Sequence, residues 1–370
     1  MKININKGVL FDAIRAVAGS STPHGAALLA NIRITGQGDS VEITATDTTK
    51  QVKIRIAGEV ILPGGVVVNC RTAAWFVGAL PDGMIELSVN KKGNVIKFKS
   101  GKTEFSASAI APSDFVELPF DPANATTYEI PASTMLDMLR KSAYAASTEQ
   151  HRRGLMALHH EIEGGVLTSV ATDGCRIALA HADCEIKAGA GEMKYDIPRE
   201  AVSELRKLLS RHTVDPKAML RVCAKRDKIA IDSGNWVFFS TLADIVYPQY
   251  KQVIPTKLKD RVEANREMLI EALARALVSA GDLKAVHVVV DSKSGIMKLE
   301  SGTDNTCETE IPIKCNCRDL DFSINATYLI ASLESFDDET AHLRFAPDAR
   351  LIGVEGNGRF GAYIMPLRNK

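Results

Sequence analysis

The chain has no surplus of charge and no long apolar run. Its 370 residues carry 45 Lys and Arg against 45 Asp and Glu. A protein that binds nucleic acid tightly and non-specifically needs a basic surplus, so this balance argues against that class while leaving local basic faces open. No stretch approaches 18 uninterrupted apolar residues, and no apolar run of signal-peptide length precedes Asp12. We therefore expect neither a membrane span nor a secretory leader.

Cysteine is sparse and unpatterned. The seven cysteines are an odd number and show no disulfide-framework spacing, which indicates reduced thiols and a cytoplasmic protein. Cys315-x-Cys317 resembles half of a zinc site, but no second Cys or His pair stands at ligand spacing. His159 and His160 lie in a strand-like run that points them to opposite faces. We therefore expect no metal and no cofactor.

One string resembles a nucleotide site but stands in the wrong context. Residues 356–361 read GNGRFG, which matches G-x-G-x-x-G. That motif must open a helix at the pyrophosphate, whereas an apolar strand-like run follows here at 362–366. The pattern therefore predicts a hairpin turn at Asn357-Gly358.

Two markers repeat three times with nearly the same period. An acid on a helical stretch recurs at spacings of 125 and 134 residues, and a Thr-Asp pair ends an alternating run at spacings of 126 and 131. The aspartates of the pairs are Asp47, Asp173 and Asp304. A repeat of this length is a whole domain. A chain made only of copies suggests a function of shape rather than one catalytic cleft.

Each copy predicts the same order of elements. A short strand leads into an amphipathic helix, an alternating strand pair follows, and another strand leads into a second helix at Asn69, Pro198 or Asn325. Hairpins complete each copy. The predicted fold class is α+β, with three similar domains that each pack two helices on antiparallel sheets.

The domain boundaries are predicted from linker composition. Aperiodic segments at 119–126 and 255–262 carry the residues typical of linkers. The predicted domains are 1–122, 123–256 and 257–370.

Basic residues recur on the predicted helices of every copy. One charge on a helix is usually a solvated face, but recurrence suggests a common surface that meets phosphates without reading bases. The set comprises Lys7, Arg15, Arg71, Arg140, Lys141, Arg199, Arg206, Lys207, Arg266 and Arg275.

Four separated motifs carry a resemblance to a known family. They are ATDGCRIALA (171–180), YPQYKQVIP (247–255), INATYLI (324–330) and YIMPLR (363–368). In order and spacing they resemble the bacterial sliding clamp, the β subunit of DNA polymerase III, over the whole chain. The resemblance implies three clamp-fold domains and a head-to-tail homodimeric ring whose helices line a pore for duplex DNA.

This resemblance implies a processivity factor and not an enzyme. The ring would hold double-stranded DNA without sequence preference and tether the replicative polymerase by raising its effective concentration. Besides a second copy of the chain, the implied partners are the polymerase α subunit, the clamp loader, and other polymerases and repair proteins. They would dock through short peptide motifs, and no membrane is involved.

The resemblance also implies an apolar cleft for those peptides. Such a cleft needs apolar pockets and a few orienting polar groups. By position it comprises Leu155, Thr172, Gly174, Cys175, Arg176, Ile177, Pro248, Val253, Asn325, Tyr328, Tyr363, Met365, Pro366, Leu367 and Arg368.

Two further surfaces are implied by the resemblance. Direct DNA contacts would involve Gln150, Arg152 and Arg153. The ring interface would set Phe105 and Ala107 of an edge strand against Val278 and Ser279 of the next subunit.

Two alternative functions stay open at this point. A clamp-like paralogue could dock partners without stably encircling DNA. An enzyme could use Asp173, Cys175 and His181 between domains, although a unique catalytic constellation should break the repeat. The simpler interpretation of the Thr-Asp aspartates is Asx-type turn chemistry at a strand end.

Overall fold

The structure is a computed structural model that describes residues 1–22, 27–189, 191–211, 214–255, 258–346, 351–356 and 359–367. Within these ranges it contains six α-helices: α1 (Lys7–Val17), α2 (Cys70–Ala79), α3 (Ala132–Ser142), α4 (Arg199–Leu209), α5 (Arg266–Leu277) and α6 (Ala326–Leu333). None of the helices in this part of the chain combines the length and the apolar composition needed to cross a membrane.

The strands fall into three successive sets, called copies I, II and III. Copy I comprises β1 (Lys2–Asn6), β2 (Asn31–Gln37), β3 (Ser40–Thr46), β4 (Lys50–Ala57), β5 (Glu59–Leu62), β6 (Gly64–Asn69), β7 (Met84–Val89), β8 (Val95–Ser100) and β9 (Thr103–Ile110). Copy II comprises β10 (Thr126–Pro131), β11 (Ala157–Glu163), β12 (Val166–Thr172), β13 (Arg176–Asp183), β14 (Glu185–Ala188), β15 (Glu192–Pro198), β16 (Met219–Ala224), β17 (Lys228–Asp232) and β18 (Trp236–Thr241). Copy III comprises β19 (Asp260–Asn265), β20 (Ala285–Asp291), β21 (Ile296–Ser301), β22 (Cys307–Asn316), β23 (Leu320–Asn325), β24 (Thr340–Phe345), β25 (Ile352–Glu355) and β26 (Phe360–Ile364).

The chain forms two compact units, each built on one sheet. The first unit contains residues 1–133, 185–190 and 203–242, and its sheet has the order β14-β10-β16-β17-β18-β4-β3-β2-β6-β9-β8-β7-β1-β5. The second unit contains residues 134–184, 191–202 and 243–370, and its sheet has the order β15-β11-β12-β13-β26-β25-β24-β19-β22-β21-β20-β23. Copy II therefore contributes strands to both sheets.

The repeated element order predicted from the sequence is confirmed. The first strand of every copy leads into one helix and a later strand leads into the second. The side-chain oxygens of Asn69 and Asn325 cap α2 and α6, while Pro198 directly precedes α4. Copy III has one strand fewer than copies I and II in the described residues. Its long strand β22 pairs with β21 through its first half and with β19 through its second half, and so replaces two strands of the other copies.

Each unit contains one joint where two copies share a sheet. In the first unit the last strand of copy II, β18, pairs with β4 of copy I, with Phe238 opposite Val52. In the second unit the last strand of copy III, β26, pairs with β13 of copy II, with Ala362 opposite Ala178. The fourth strand of one copy thus receives the last strand of the next.

The Thr-Asp turn of copy I has Asx-type chemistry. Thr46 directly ends β3 and donates its hydroxyl to the Lys50 carbonyl (3.0 Å). The Asp47 carboxylate accepts the N–H groups of Thr49 (2.9 Å) and Lys50 (2.8 Å). Asp304 is not a counterpart, because β21 already ends at Ser301. The third Thr-Asp pair is therefore a likeness of sequence only.

The segment after copy I is pinned to its own sheet by charge. This segment, strap I, comprises residues 111–125. Glu117 accepts two hydrogen bonds from Arg33 (2.9 and 3.1 Å) and also pairs with Lys53, while Phe115 lies 5.1 Å from the Arg33 guanidinium. These contacts outweigh partial burial and hold the pKa of Glu117 at about 2. The linker composition at 119–126 therefore belongs to a strap whose upstream half is anchored.

Glu117→Gln should lower the free energy of unfolding at pH 7 by about 1 kcal/mol, because a half-exposed ion pair is screened by solvent. The carboxylate has a lower pKa folded than the ordinary value of about 4.3, so its contribution is full above that pH and declines as the pH falls toward 2. Urea unfolding of wild type and variant at pH 7 and pH 3 measures this. Asp114→Asn on the same strap is the control, and an undiminished difference at pH 3 would contradict the assignment.

Candidate functional site

A turn at the start of β13 forms the polar end of the candidate site. Thr172 donates its hydroxyl to the Arg176 carbonyl (2.6 Å), and the Asp173 carboxylate accepts the N–H groups of Cys175 (2.9 Å) and Arg176 (3.0 Å). Gly174 has a φ of +91°, a conformation that favours glycine. The turn repeats the chemistry of its counterpart in copy I.

Arg176 lies between two tyrosine rings. Its Nε donates to Asp173 (2.9 Å) and an Nη donates to the Tyr144 carbonyl (2.9 Å). The guanidinium lies 4.3 Å from the Tyr328 ring centroid and 5.5 Å from that of Tyr144. Tyr144 donates to Ser332 (3.0 Å), and burial raises the pKa of Tyr144 to about 12. Arg176 is thus a fixed element of the wall, not a free charge.

The segment after β26 crosses the same turn. The Met365 N–H donates to the Cys175 carbonyl (2.9 Å), and the Leu367 N–H donates to the Ser323 carbonyl (2.7 Å). Met365 is 52% exposed, so its thioether presents apolar surface beside an exposed Cys175. Arg368, predicted to belong to the cleft, lies outside the described residues.

An apolar cluster forms the floor next to this turn. Its buried members are Val170, Ile177, Leu179 and Tyr250. Partly buried side chains pack against it: Tyr247, Ile254 and Tyr363. The floor therefore joins β12 and β13 to the segment that follows copy II.

That segment, strap II, comprises residues 243–255 and lies on the sheet of its own copy. The Tyr247 ring stacks on His159 at 4.6 Å, and Tyr250 donates its hydroxyl to Glu161 (2.7 Å). Between and beyond these anchors, Pro248 is exposed and Val253 is 62% exposed. The strap thus presents Val246, Pro248 and Val253 to solvent while its tyrosines hold it down.

Leu155 and Asn325 contribute in different ways. A Cβ on Gly174 would lie 3.8 Å from a Leu155 methyl group, so Leu155 borders the turn. The Asn325 side-chain oxygen accepts the N–H (3.0 Å) and hydroxyl (2.5 Å) of Thr327. It therefore caps α6, which carries Tyr328, and acts on the site through that helix.

Some residues of the site escaped the sequence analysis. Tyr144 carries no local pattern 32 residues before Arg176. Arg152 was assigned to DNA, but it donates to the Asp173 carbonyl (2.5 Å) and pairs with Glu149 (2.9 Å). Tyr247 and Tyr250 are part of the motif YPQYKQVIP, so the motif itself could have identified them as residues of the site.

The basic helical residues divide into exposed and committed groups. Lys7 pairs with Asp82 (3.0 Å), and Arg266 donates to the carbonyls of Asp338 (2.8 Å) and Leu333 (3.5 Å). Arg140 pairs with Asp337 (2.6 Å) and Lys141 with Asp137 (2.7 Å). Arg206 is half-buried, and Gln150 is exposed on a 3₁₀ turn. Arg15, Arg71, Arg153, Arg199, Lys207 and Arg275 are exposed, as is Arg152. Of these, Lys207 pairs with Glu204 (3.5 Å) and Arg275 with Glu271 (3.6 Å).

The residues of the enzyme alternative do not converge. The Asp173 carboxylate is occupied by the turn. His181 hydrogen-bonds Thr168 (2.9 Å) and lies six residues along from Cys175, about 20 Å at the rise of a strand. Across the described part of the chain, no three His, Cys, Asp or Glu side chains are grouped to hold a metal.

Two strand edges are open on one side. Residues 103–108 of β9 pair only with β8, and residues 307–312 of β22 pair only with β21, among the residues that the structure describes. Phe105 stacks on Phe76 at 4.8 Å. Val278, at the end of α5, is 87% exposed, and Ser279 borders a cavity of about 590 Å³ that Cys307 also lines.

Comparison with known proteins gives a consistent result over the whole chain. Family models of the DNA polymerase III beta subunit match in order: its N-terminal domain at 1–119, central domain at 129–249 and C-terminal domain at 251–368. The beta sliding clamps of Pseudomonas aeruginosa and Escherichia coli K12 are each 24% identical, with all of both chains covered. Crystal structures of the Pseudomonas aeruginosa DNA polymerase III subunit beta (23% identical) and the Bacillus subtilis sliding clamp (22%) align over all of both chains with TM-scores of 0.91.

Proposed function

The chain belongs to the DNA polymerase III beta subunit family, and we infer that it is a non-catalytic processivity factor that acts as a sliding clamp on DNA. A clamp of this family encircles DNA as a dimeric ring and receives partners through peptide motifs. Tethering raises the local concentration of a polymerase at its template. Neither the docking module without encirclement nor the enzyme is favoured by this membership.

The observation that most directly supports a ring is that both joints between copies pair their strands in the same register. Val52 and Ala178 each lie six residues beyond the threonine of their turn. Their partners Phe238 and Ala362 occupy equivalent positions in copies II and III. Counting across paired strands from the equivalent residues Tyr128 and Val262 of the first strands gives Tyr128↔Val222↔Ile231↔Phe238 in copy II and Val262↔Leu343↔Val354↔Ala362 in copy III. The same partner positions therefore meet at both joints.

The open edges of β9 and β22 match a third joint of this kind. The pairs Ile3↔Leu87↔Phe98↔Phe105 make Phe105 the counterpart of Phe238. The pairs Ile34↔Ile43↔Ile54 and Val288↔Leu299↔Thr309 make Cys307 the counterpart of Val52. We propose that Phe105 lies opposite Cys307 of the partner subunit, with Ala107 on the same strand face and with Val278 and Ser279 beside them. Two such joints close a head-to-tail dimer and cover both edges.

A Phe105→Cys variant should form disulfide-linked dimers under mild oxidation. Facing residues of antiparallel strands have Cα atoms about 4.5–5.5 Å apart, within the disulfide range of about 4.4–6.8 Å. Non-reducing electrophoresis measures the yield. Glu104→Cys and Ser106→Cys are matched controls, because a shift of one residue points the thiol to the other face. Cross-linking that persists in Phe105→Cys with Cys307→Ser would refute the register.

The ring itself is tested by topology. A protein that encircles DNA should stay on a circular plasmid after loading by its clamp loader and slide off once the plasmid is cut. Gel filtration of radiolabelled protein before and after linearisation measures retention. Equal retention on linear DNA would overturn encirclement. An oxidised Phe105→Cys ring should fail to load until it is reduced.

We propose that the exposed cations face the DNA. They are Arg15, Arg71, Arg153, Arg199, Lys207 and Arg275, with Gln150 nearby in sequence to Arg153. Mobile phosphate contacts suit sliding, because they carry no sequence information. Lys7, Arg140, Lys141, Arg152, Arg206 and Arg266 would add charge to the same surface. Most of them pair within the protein, as Lys207 does with Glu204 and Arg275 with Glu271.

We propose that the candidate site accepts the peptide motifs of partners. Apolar side chains of Met365, Pro366, Leu367, Ile177, Pro248 and Val253 would receive apolar anchors beside the Tyr328 ring. The partners proposed are the polymerase α subunit, the clamp loader, and other polymerases and repair proteins, in the cytoplasm. The proposed domains, 1–122, 123–256 and 257–370, are supported by the ranges of the three family matches.

Met365→Ala with Leu367→Ala should weaken binding of a polymerase tail peptide at least about tenfold, since truncating central anchors costs more than about 1 kcal/mol each. Fluorescence anisotropy of a fluorescein-labelled C-terminal tail of the polymerase α subunit measures affinity. The dimer should remain intact in sedimentation. Unchanged affinity would mean that the cleft is misplaced.

A further inference from the structure

Two buried polar clusters lie beneath strap II, outside the cleft itself. In the first, His159 is 6% exposed, bonds Asp196 through Nδ1 (2.9 Å) and stacks under Tyr247, whose hydroxyl donates to the Val170 carbonyl (3.3 Å). The Ala243 N–H also donates to the Asp196 carbonyl (2.8 Å), so the strap is tied to β15 at its first residue. This cluster fixes the segment just before Pro248.

The second cluster fixes the segment just after Pro248. Glu161 is 5% exposed and accepts from Tyr250 (2.7 Å), Lys251 (3.0 Å) and Lys194 (2.9 Å). Burial alone would raise the pKa of Glu161, but these donors outweigh it and lower the pKa to about 2. The Tyr250 N–H donates to the Pro248 carbonyl (2.8 Å), which turns the chain back toward Val253.

We propose that His159 and Glu161 are positioning residues for peptide binding. They reach the proposed cleft through the two tyrosines that pack in its floor, and they hold Tyr247 and Tyr250 on either side of Pro248. They thereby set where Pro248 and Val253 meet the peptide. This inference rests on the proposed peptide function. It identifies the groups that hold strap II, and with it Pro248 and Val253, rigidly in place.

The copy-I strap shows that pinning is separable from the cleft. Arg33 is the counterpart of His159, since Asn31 and Ala157 are the residues opposite Asn69 and Pro198 at the helix starts. Arg33 binds strap I through Glu117, whereas His159 binds strap II through an aromatic stack. The same position thus anchors both straps with different chemistry, and the chain supplies its own control.

The cost of losing an anchor follows from what pins the strap. Without its tyrosine contacts, the exposed segment around Pro248 would sample more backbone conformations, and a peptide would have to order it on binding. Such a loss lowers affinity while the exposed side chains of Pro248 and Val253 are unchanged. Tyr247→Leu should therefore weaken tail binding about tenfold, and Tyr250→Phe, which removes one hydroxyl, should weaken it by less.

The test combines affinity with strap mobility. Anisotropy with the fluorescein-labelled α-subunit tail gives affinity, and amide hydrogen exchange of residues 247–255 gives strap opening. We expect faster exchange and weaker binding in Tyr247→Leu and Tyr250→Phe, and neither in Glu117→Gln on strap I. Faster exchange with unchanged affinity would overturn the proposal, and so would unchanged exchange. Tyr250→Phe keeps the test valid if Tyr247→Leu folds poorly.

A double-mutant cycle separates positioning from general destabilisation. If the anchors act through Val253 and Pro248, Tyr247→Leu should cost little further affinity in a Val253→Ala, Pro248→Ala background. An additive loss would mean that the anchors act elsewhere and would overturn the proposal. The Met365→Ala, Leu367→Ala variant reports on the cleft alone. If it loses affinity while the strap variants do not, only the positioning role fails.

Discussion

Backbone hydrogen bonding between the last strand of one copy and the fourth strand of the copy before it is the constraint on which this structure depends. An unpaired strand edge presents a row of N–H and C=O groups that must be satisfied by water or by another strand. Two of these pairings occur within the chain, at one register. The three copies have three last strands and three fourth strands. Since only two such pairs form within the described part of the chain, one last strand, β9, and one fourth strand, β22, each keep an open edge. The head-to-tail dimer proposed above would pair both open strands without any new kind of contact.

One sheet position shows how copies of one fold acquire different roles. On the fourth strand, Lys53 of copy I corresponds to Leu179 of copy II, one residue beyond the joint positions Val52 and Ala178. Lys53 pairs with Glu117, which closes strap I onto the sheet by charge. Leu179 instead joins the apolar floor with Tyr250. The exchange of an ammonium for an isobutyl group at this position, together with that of Arg33 for His159, thus accompanies the change from a strap held by charge to the base of an apolar wall.

The sequence predicted the parts of the fold that repeat. Alternation and helix periodicity act locally and were visible in all three copies, and the asparagine caps were visible in two of them, at Asn69 and Asn325. The third Thr-Asp pair misled because β21 ends earlier than β3 and β12, a difference set by strand pairing rather than by local residues. The sequence did not reveal Tyr144, because Tyr144 contributes its carbonyl and its ring to Arg176 through a tertiary contact between distant residues. The hydrogen bond of Arg152 to a turn carbonyl was not foreseen, because a surface charge in the sequence does not reveal which backbone group it meets.

The polar groups of the site are already satisfied by the protein, which constrains how it can bind. The Asp173 carboxylate, the Arg176 guanidinium and the Met365 N–H each have a partner in the absence of peptide. A ligand bound as proposed would therefore gain little from replacing these bonds, since each replacement exchanges one hydrogen bond for another. In the proposed peptide complex, affinity would come mainly from apolar burial on Met365, Val253 and neighbouring side chains, and from walls that need no ordering. Non-directional burial tolerates varied apolar anchors, which agrees with the proposal that several partners use one cleft.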